Sequence, residues 1–214
     1  MMQLKQSNRR IEICKICFKP IEKNTFHSLL CKGPTICHNC LLAFGPEMKT
    51  FWIDDIECLH LYFYNSKVQE VLYQFKGCKD YELYSVFIEY YLPYLNIKFN
   101  GYEVIPAPSS EESDLERGFN HVEEMFSKLH LKMSKIIHKT GKRKQADLTT
   151  KQREKIANYL KIEDVDLSGK KILLVDDVFT TGSTIKAMIK LVKNKGAKKI
   201  KVLLMSKTID LEKR

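Results

Sequence analysis

Apolar side chains in the first half of the chain switch from a dense, strand-like pattern to a helical one. Residues 50–64, TFWIDDIECLHLYFY, are rich in aromatic and β-branched side chains, which predicts strand structure. Residues 66–78 space their apolar side chains at helical intervals, and Ser66 is the predicted N-cap. A second, aromatic-rich helix is predicted over residues 81–92, and Pro93 is expected to end it.

The second half of the chain alternates short apolar strands with amphipathic helices. Residues 101–110, GYEVIPAPSS, predict a strand that ends in a Pro-containing loop, and residues 119–133 predict a helix. Lys171–Val175 predicts a buried strand, and a polar loop and a helix lead from it to a last strand over Ile200–Met205. This alternation predicts an α/β fold with a parallel sheet flanked by helices.

Length and composition are those of a globular protein with one full domain and an appendage. The chain has 214 residues, of which 44% are hydrophobic and 29% charged, and this balance excludes intrinsic disorder and a small disulfide-stapled fold. No apolar run approaches the roughly 18 residues that a membrane helix needs. The first residues, MMQLKQSNRRIEICKICF, contain no apolar signal region, so we expect a cytoplasmic protein.

Positive charge is concentrated toward the C-terminal end of the sequence. The chain has 36 Lys and Arg against 26 Asp and Glu, a formal net charge of +10. Residues 186–214 carry ten basic and two acidic side chains, whereas residues 81–138 carry five basic and nine acidic ones. A basic end suits phosphate, nucleic acid or an acidic partner, but a lysine-rich face also serves simply as a solvated surface.

The stretch Ile172–Thr184, ILLVDDVFTTGST, has the features of a phosphate-binding loop. Asp176 and Asp177 follow the apolar residues of a predicted strand, at the end where α/β proteins bind ligands. Backbone N–H groups and hydroxyls at a helix N-terminus bind phosphate, while neighbouring carboxylates accept hydrogen bonds from a diol. The alternative is that two Asp residues and a Thr-rich turn only cap a helix. The loop residues that enter the helix are Thr180, Thr181, Gly182, Ser183 and Thr184.

Four cysteines form two pairs with the spacing of a structural zinc site. Cys14 and Cys17 make one C-x-x-C pair, Cys37 and Cys40 make the other, and 19 residues separate the pairs. Four thiolates fill a tetrahedral Zn²⁺ site and leave no open position for catalysis, so the predicted metal is structural. Unmetallated buried thiols are the alternative. Possible substitute ligands are His27, Cys31 and His38, although the pattern does not require them, and Cys58 and Cys78 are single thiols of the core or surface.

The helix predicted after the phosphate loop carries a row of lysines. Lys186, Lys190 and Lys193 fall at i, i+4 and i+7, offset from the apolar positions that are expected to face inward. Such a row suits the backbone of single-stranded DNA without reading its sequence, and a solubilising face is the equal alternative. If this helix does not bind DNA, the basic segment Lys142–Lys144 is the next candidate. The inward positions are Ile185, Met188, Ile189 and Val192.

The strand, the paired carboxylates and the TTGST loop together resemble the phosphoribosyl pyrophosphate (PRPP) signature of type I phosphoribosyltransferases. The resemblance implies that Asp176 and Asp177 contact the ribose hydroxyls, or Mg²⁺ through water, and that residues 180–184 wrap the 5′-phosphate. Residues 139–151, which are polar and basic, stand where these enzymes carry a mobile loop that closes over the reacting centre. The resemblance also implies a pyrophosphate loop, which consists of Pro108, Ser109 and Ser110.

A four-Cys module ahead of a phosphoribosyltransferase-like domain is a distinctive pairing, and this chain resembles the ComF family. Arg117–Asn120, RGFN, resembles a family block, and Val104–Ser109, VIPAPS, resembles the family's V-P-x-P-L-S without its Leu-Ser ending. Gln145 and Arg153 fall where the family has a Q…R pattern, and Tyr64–Lys76 resembles its Y…K segment.

The resemblance implies a domain division, a function and partners. Residues 1–50 form the zinc-binding module and residues 51–214 the phosphoribosyltransferase-like domain, with Zn²⁺ structural in the first and PRPP with Mg²⁺ bound in the second. The family acts in natural transformation, assisting the uptake of single-stranded DNA into the cytoplasm beside a ComFA-like helicase and a DprA-like recombination mediator. An active phosphoribosyltransferase of nucleotide metabolism and a zinc-dependent DNA-binding regulator that senses PRPP are the alternatives, because fold and motif alone do not decide catalysis.

Overall fold

A central sheet, a small second sheet and six helices make up the part of the chain that the structure, a computed structural model, describes, namely residues 11–21, 34–140 and 159–209. The strands are β1 Pro46–Ile53, β2 Ile56–Phe63, β3 Glu103–Pro106, β4 Ile137–Lys139, β5 Leu160–Ile162, β6 Lys171–Phe179 and β7 Lys199–Lys207. The helices are α1 His38–Phe44, α2 Ser66–Lys76, α3 Leu92–Lys98, α4 Glu111–Arg117, α5 His121–Phe126 and α6 Ser183–Asn194. In these ranges, no helix is long and apolar enough to span a bilayer.

The central sheet has five strands in the order β1-β2-β7-β6-β3. The pairs β2–β7, β7–β6 and β6–β3 are parallel, whereas β1 runs antiparallel to β2 in a hairpin. A separate two-stranded sheet pairs β4 with β5. The predicted α/β fold with a parallel sheet is confirmed, and the antiparallel hairpin is added at one edge.

Each face of the sheet is covered by its own apolar core. Leu173 and Val175 of β6 face the core that contains α2 and α5, whereas Ile172 and Leu174 face the core that contains α6. Successive strand residues point to opposite faces, so a strand that is apolar on both sides lies in the middle of the molecule. The buried face of α6 is the predicted one, formed by Ile185, Met188, Ile189 and Val192.

The four-Cys segment packs into the first of these cores. Cys14, Ile36 and Phe44 are completely buried there. The Phe44 ring meets the Tyr62 ring of β2 edge-on at 5.3 Å and stacks on the Phe87 ring at 6.2 Å. The segment and the sheet therefore share one hydrophobic core. The predicted division between a zinc module and the larger domain falls within β1 and stays a prediction.

The helix predicted over residues 81–92 is wrong, and so is the predicted role of Pro93. Tyr81–Ser85 and Glu89–Tyr91 form two short 3₁₀ segments, and Pro93 lies in the first turn of α3. A proline fits a first turn because its missing N–H has no helical acceptor there. Pro93 therefore begins a helix instead of ending one.

α2 begins at the predicted residue, but its cap differs. Asn65, rather than Ser66, caps the helix, since the Asn65 side-chain oxygen accepts the Val68 N–H at 2.9 Å. The Asn65 amide also donates to the carbonyl oxygens of Ala43 at 3.2 Å and Phe44 at 3.0 Å. One side chain thus connects the start of α2 to the end of α1.

The helix predicted over residues 119–133 is shorter than expected, because only His121–Phe126 is helical. The Val104 N–H of β3 donates to the Lys132 carbonyl at 2.8 Å, and the Ser134 N–H donates to the Val104 carbonyl at 2.8 Å. These hydrogen bonds hold the later residues extended beside β3. The apolar residues of this segment are buried as predicted, but the last of them lie beyond the helix.

The RGFN block, residues 117–120, forms the corner between α4 and α5. The helix α4 was not predicted from the sequence. Gly118 ends α4 with a φ of +84°, a left-handed conformation that suits glycine. Asn120 caps α5 by accepting two backbone N–H groups of that helix, each at 3.1 Å. Phe119 stacks on Phe75 of α2 at 5.1 Å. The block therefore positions α5 against α2.

Candidate functional site

The two predicted carboxylates lie within β6 and not after it. β6 continues from the predicted Lys171–Val175 to Phe179, which pairs with Lys207 at the end of β7. Because side chains alternate along a strand, Asp177 points to the α2 and α5 side, while Asp176 points to the α6 side. The pair is therefore divided between the two faces of the sheet.

The buried Asp177 carboxylate contacts two side chains, the cationic Lys76 and the imidazole of His121. Its carboxylate is 7% exposed and lies 2.6 Å from the Lys76 Nζ of α2 and 3.2 Å from the His121 Nε2 of α5. Burial opposes ionisation, but the His121 and Lys76 contacts outweigh it and hold the pKa of Asp177 well below its usual range. Asp177 is therefore a charged, fully partnered residue.

His121 connects Asp177 to Arg117. The Arg117 Nη1 lies 3.1 Å from the His121 Nδ1, and a guanidinium can only donate, so Nδ1 is the acceptor and Nε2 carries the proton toward Asp177. Burial lowers the pKa of His121, which keeps the imidazole neutral. Arg117 is itself held by Asp114 at 3.2 Å and donates to the Lys76 carbonyl at 3.3 Å.

The hydrogen-bond network that connects Lys76, His121 and Arg117 to Asp177 was not predicted as part of the site. In the sequence, Arg117 lies in the RGFN block and Lys76 at the end of the Y…K segment, and neither has a predicted role. His121 follows RGFN directly, which is the local signal that could have found it. The contacts to Asp177 join residues far apart in sequence, so spacing alone could not show them.

Asp176 has the opposite electrostatic environment. Burial, followed by the neighbouring Asp177 charge, raises the pKa of Asp176 well above its usual value. One Asp176 oxygen accepts the Asp177 N–H at 2.9 Å, and the Asp177 carboxylate likewise accepts the Val178 N–H at 2.7 Å. Among the described residues, no cationic side chain forms an ion pair with Asp176, so it is the carboxyl of the two that is suited to a ligand hydroxyl or a cation.

The loop between β6 and α6 presents hydroxyls at a helix N-terminus. Gly182 adopts a φ of +71°, and a Cβ there would lie 2.4 Å from the Phe179 ring, so both backbone and space require glycine. Thr181 is exposed, and its hydroxyl lies 3.0 Å from the Ser183 hydroxyl. The Phe179 carbonyl accepts the Thr208 N–H at 3.0 Å, which fixes the loop to the end of β7. Among the described residues, none outside this loop accepts a hydrogen bond from the first turn of α6, so its N–H groups can bind an anion.

The predicted pyrophosphate loop reaches the same edge of the sheet. The Ala107 N–H donates to the Val175 carbonyl at 2.8 Å, which brings the loop after β3 beside the carboxylates of β6. The Ser109 hydroxyl donates to the Asp114 carboxylate and accepts from the Asn120 amide, and Ser110 caps α4. Pro108 precedes these two serines. Both hydroxyls therefore have protein partners already.

The four cysteine sulfurs converge on one point. Their Sγ atoms all lie within 4.8 Å of one another, and those of Cys17 and Cys37 are 3.7 Å apart. Zn–S bonds of about 2.3 Å in a tetrahedron place sulfurs roughly 3.8 Å apart, so the cluster fits Zn²⁺. The Lys19 backbone N–H lowers the pKa of Cys17 to about 7, which favours its thiolate, whereas burial raises the pKa values of Cys37 and Cys40. The remaining two ligands are Cys14 and Cys40.

Two tight turns bring the sulfurs together. The Phe18 N–H donates to the Cys14 carbonyl at 2.9 Å, which folds the first pair into one turn. Cys37 is the N-cap residue of α1, and Cys40 lies in its first turn. His38 is exposed on α1 and outside the cluster. His27 and Cys31 lie outside the described residues.

The lysine row on α6 is exposed but partly compensated. Lys186 and Lys190 face solvent, whereas the Lys193 Nζ lies 2.7 Å from Asp55. Lys142–Lys144, with most of the predicted closing loop, lie outside the described residues. Among the described residues, the lysines of this row without an ion pair are therefore Lys186 and Lys190, one turn and two turns into the helix.

Comparisons with known proteins support the resemblance that the sequence analysis drew. A phosphoribosyl transferase domain model matches residues 115–212. Competence protein ComFC of Streptococcus pneumoniae is 28% identical over 175 residues, covering 79% of this chain and 79% of that protein. Adenine phosphoribosyltransferase of Mycoplasmopsis agalactiae is 45% identical over 58 residues, which are 27% of this chain and 34% of that enzyme.

Among solved structures, the adenine phosphoribosyltransferase of Thermoanaerobacter pseudethanolicus aligns with a TM-score of 0.41 and 20% identity, over 78% of this chain and 87% of that one. The sequence matches bear out the resemblance, since the chain is similar to a competence protein over most of its length and to a phosphoribosyl transferase domain over residues 115–212.

Proposed function

We propose that this ComF-like protein binds PRPP at the carboxyl edge of its sheet and handles single-stranded DNA during natural transformation. The observation that carries the PRPP proposal is the divided carboxylate pair beside an open helix N-terminus. Asp177 is neutralised internally by Lys76, which leaves Asp176 to accept the ribose hydroxyls. Thr180, Thr181, Gly182, Ser183 and Thr184 receive the 5′-phosphate.

The pyrophosphate would lie against the loop of Pro108, Ser109 and Ser110. Because both serine hydroxyls have protein partners, we expect this loop to offer mainly backbone groups. Mg²⁺ binds carboxylate and phosphate oxygens and keeps several waters, and Asp176 is the side chain placed to hold it, directly or through water. Bound Mg²⁺ would neutralise charge on the pyrophosphate.

Zn²⁺ at the four cysteines would be structural. Two of the ligands, Cys14 and Cys40, are buried in the core that the segment shares with the sheet. A four-thiolate site has no open position for a substrate, so the ion would hold the two turns together without entering any reaction. Its loss would affect folding before it affected ligand binding.

The DNA part of the proposal is supported by the similarity to a competence protein and by the distribution of charge. The chain has a formal net charge of +10, and Lys186 and Lys190 are exposed beside the phosphate loop. A ComFA-like helicase and a DprA-like recombination mediator are the partners proposed with this role. The second candidate function, an active phosphoribosyltransferase, is favoured by the local identity with an adenine phosphoribosyltransferase.

The PRPP site is tested by calorimetric titration with PRPP and Mg²⁺, and separately with inorganic phosphate. Asp176→Asn should weaken PRPP by at least about tenfold, because an amide replaces the carboxyl that contacts the ribose hydroxyls or holds Mg²⁺, and change phosphate by less than about twofold. Asp164→Asn, at an exposed carboxylate, is the control. Absence of PRPP binding by the wild type, or equal weakening of both ligands, would overturn the proposal.

A further inference from the structure

Lysines crowd the edge of the central sheet at which its parallel strands begin, opposite the edge of the proposed PRPP site. Lys171 begins β6 and Lys199 begins β7, and the two are direct neighbours in the strand pairing. The Lys170 carbonyl accepts the N–H groups of both Lys198, at 2.9 Å, and Lys199, at 3.3 Å. Lys132 lies in the extended segment beside β3. We call these five residues the lysine edge.

A groove of about 450 Å³ opens at the lysine edge, and Lys132, Lys170 and Lys171 form part of its wall. Glu103 is the one carboxylate among the described residues of that wall. Its two oxygens lie 3.2 Å from the Lys132 Nζ and 3.4 Å from the Lys170 Nζ. Burial opposes ionisation of Glu103, but its hydrogen bonds outweigh burial and lower the pKa of the carboxyl. One carboxylate charge is therefore shared between two ammonium groups.

Positive charge exceeds negative charge along the lysine edge. In the part of the chain that the structure describes, Lys171, Lys198 and Lys199 are exposed, and no carboxylate forms an ion pair with them. Asp166, in the turn before β6, is a second carboxylate near this edge, and it accepts the Ser168 N–H at 2.9 Å. Like charges on paired strands repel and lower stability. An anionic ligand would remove this repulsion.

The length of the lysine edge requires a ligand with several negative charges. Neighbouring strands lie about 4.8 Å apart, so the three steps from the segment of Lys132 across β3 and β6 to Lys199 cover about 14 Å. A single phosphate group is too small to reach across this distance. In an extended peptide, alternate side chains lie about 7 Å apart on the same face, so three of them match the length of the edge.

The groove offers charge but no open ring on which a nucleobase could stack. Tyr102 is the one Phe, Tyr or Trp among the described residues of its wall, and it is only 8% exposed. The Lys171 Nζ lies 5.9 Å from the centre of that ring. Proteins that bind single-stranded nucleic acid combine positive charge with exposed aromatic rings, whereas carboxylates need only the ammonium donors. We infer that the lysine edge binds an acidic segment of a partner protein, an extended stretch with Glu or Asp at alternate positions.

Fluorescence anisotropy tests the lysine edge in the full-length protein with labelled probes of equal length. The probes are a peptide of alternating Glu and Ser, a peptide of alternating Gln and Ser, and an oligothymidylate. The wild type should bind the Glu peptide at least about tenfold more tightly than the Gln peptide, because only the first carries charges that the lysines can pair with. Added salt should weaken binding of the Glu peptide.

Lys171→Gln with Lys199→Gln removes two exposed ammonium groups from the edge and should weaken the Glu peptide by at least about tenfold. The matched control, Lys19→Gln with Lys161→Gln, removes the same charge from two exposed lysines outside the edge and should change the affinity by less than about twofold. Because Lys171 and Lys199 repel each other, their replacement should leave the melting temperature unchanged or raise it. This second measurement separates a binding role from a structural one.

Loss of Glu-peptide affinity in the edge variant alone supports the inference. No binding of the Glu peptide by the wild type, equal affinity for the two peptides, or equal effects of the two double variants would overturn it. An edge variant that loses the oligothymidylate as strongly as the Glu peptide would also overturn it, because the edge would then not distinguish a protein from a nucleic acid. None of these results depends on PRPP, since the proposed PRPP site lies at the opposite edge of the sheet.

Discussion

The net charge of the buried site around Asp177 depends on whether His121 carries one proton or two. Asp177 needs partners because an isolated buried carboxylate is costly. Lys76 supplies the compensating charge, and His121 adds a neutral N–H donor. A second proton on His121 would put three cations, with Lys76 and Arg117, around one carboxylate. Burial first, and the Lys76 and Arg117 charges after it, lower the pKa of His121 against the Asp177 contact that raises it, so this second proton is disfavoured.

Replacement of His121 should separate hydrogen bonding from packing. His121→Phe removes the donor to Asp177, so we expect the free energy of unfolding to fall by about 1–3 kcal/mol and PRPP to bind more weakly. His121→Gln should restore most of both, because the amide donates to Asp177 and accepts from Arg117. Urea unfolding and PRPP titration measure the two effects.

The exposed His138, which pairs with Glu163, supplies the control variant His138→Gln. It should leave stability and PRPP affinity near the wild-type values. Equal losses in the Phe and Gln variants of His121 would show that ring volume matters and the hydrogen bonds do not.

At the scale of elements, the junction of β6 and α6 depends on one glycine. Gly182 has a left-handed backbone and contacts the Phe179 ring, whose own carbonyl is tied to Thr208. A side chain at this point would move the aromatic ring or the loop. The open turn that the phosphate needs therefore depends on the strand end beneath it.

Gly182→Ala should weaken PRPP and inorganic phosphate together, since both use the loop. Gly169→Ala is a matched control, because Gly169 has a φ of +76° but nothing within 4 Å of an added Cβ. Gly169→Ala should lose about 1–2 kcal/mol of stability from the left-handed backbone, and Gly182→Ala should lose more, because its Cβ also meets the Phe179 ring. Only Gly182→Ala should lose phosphate affinity, measured by calorimetry. Equal phosphate affinity in the two variants would contradict this role of Gly182.

Local pattern was sufficient for some elements and insufficient for others. α6 was predicted because its apolar side chains repeat on one face, and the cysteine cluster because each pair lies within one turn. The aromatic run after α2 misled the prediction because it packs in short 3₁₀ segments. The division between Asp176 and Asp177 depends on β6 continuing to Phe179, and the partners of Asp177 come from distant helices.

At the scale of the whole molecule, the four-Cys segment and the sheet share one hydrophobic core. Cys14 and Phe44 are buried with residues of β2 and β6 in a single core. Loss of the metal should therefore destabilise the sheet as well as the two cysteine turns. Structural zinc contributes on the order of 10 kcal/mol of apparent binding free energy in small modules.

Cys40→Ser, or removal of metal by a chelator, should lower the melting temperature of the entire protein in one transition. The wild type should contain about one Zn²⁺ per chain by elemental analysis. Cys78→Ser is the control, because Cys78 is exposed and outside the cluster. A metal-free wild type with unchanged thermal stability would contradict a structural zinc.

DNA binding is predicted to follow the uncompensated lysines. Lys186→Gln with Lys190→Gln should lower the affinity for single-stranded DNA. It should also reduce the slope of log affinity against log salt concentration by roughly 0.7 for each DNA phosphate that is no longer neutralised. Lys193→Gln with Lys195→Gln removes the same charge from ammonium groups already paired with carboxylates, and should have a smaller effect. Affinities at two salt concentrations give the slopes. Equal slopes in the two double variants would exclude this face of α6.

The pairing of β2 with β7 has a consequence for synthesis of the protein. Cys58 lies beside Val202, so a strand made early by the ribosome has a neighbour made late. During synthesis, the β2 edge of the β1–β2 hairpin therefore remains unpaired until β7 leaves the ribosome. Such distant pairing slows folding and exposes nascent chains to aggregation. Chains released before Lys207 should therefore depend on chaperones, whereas complete chains close the sheet themselves.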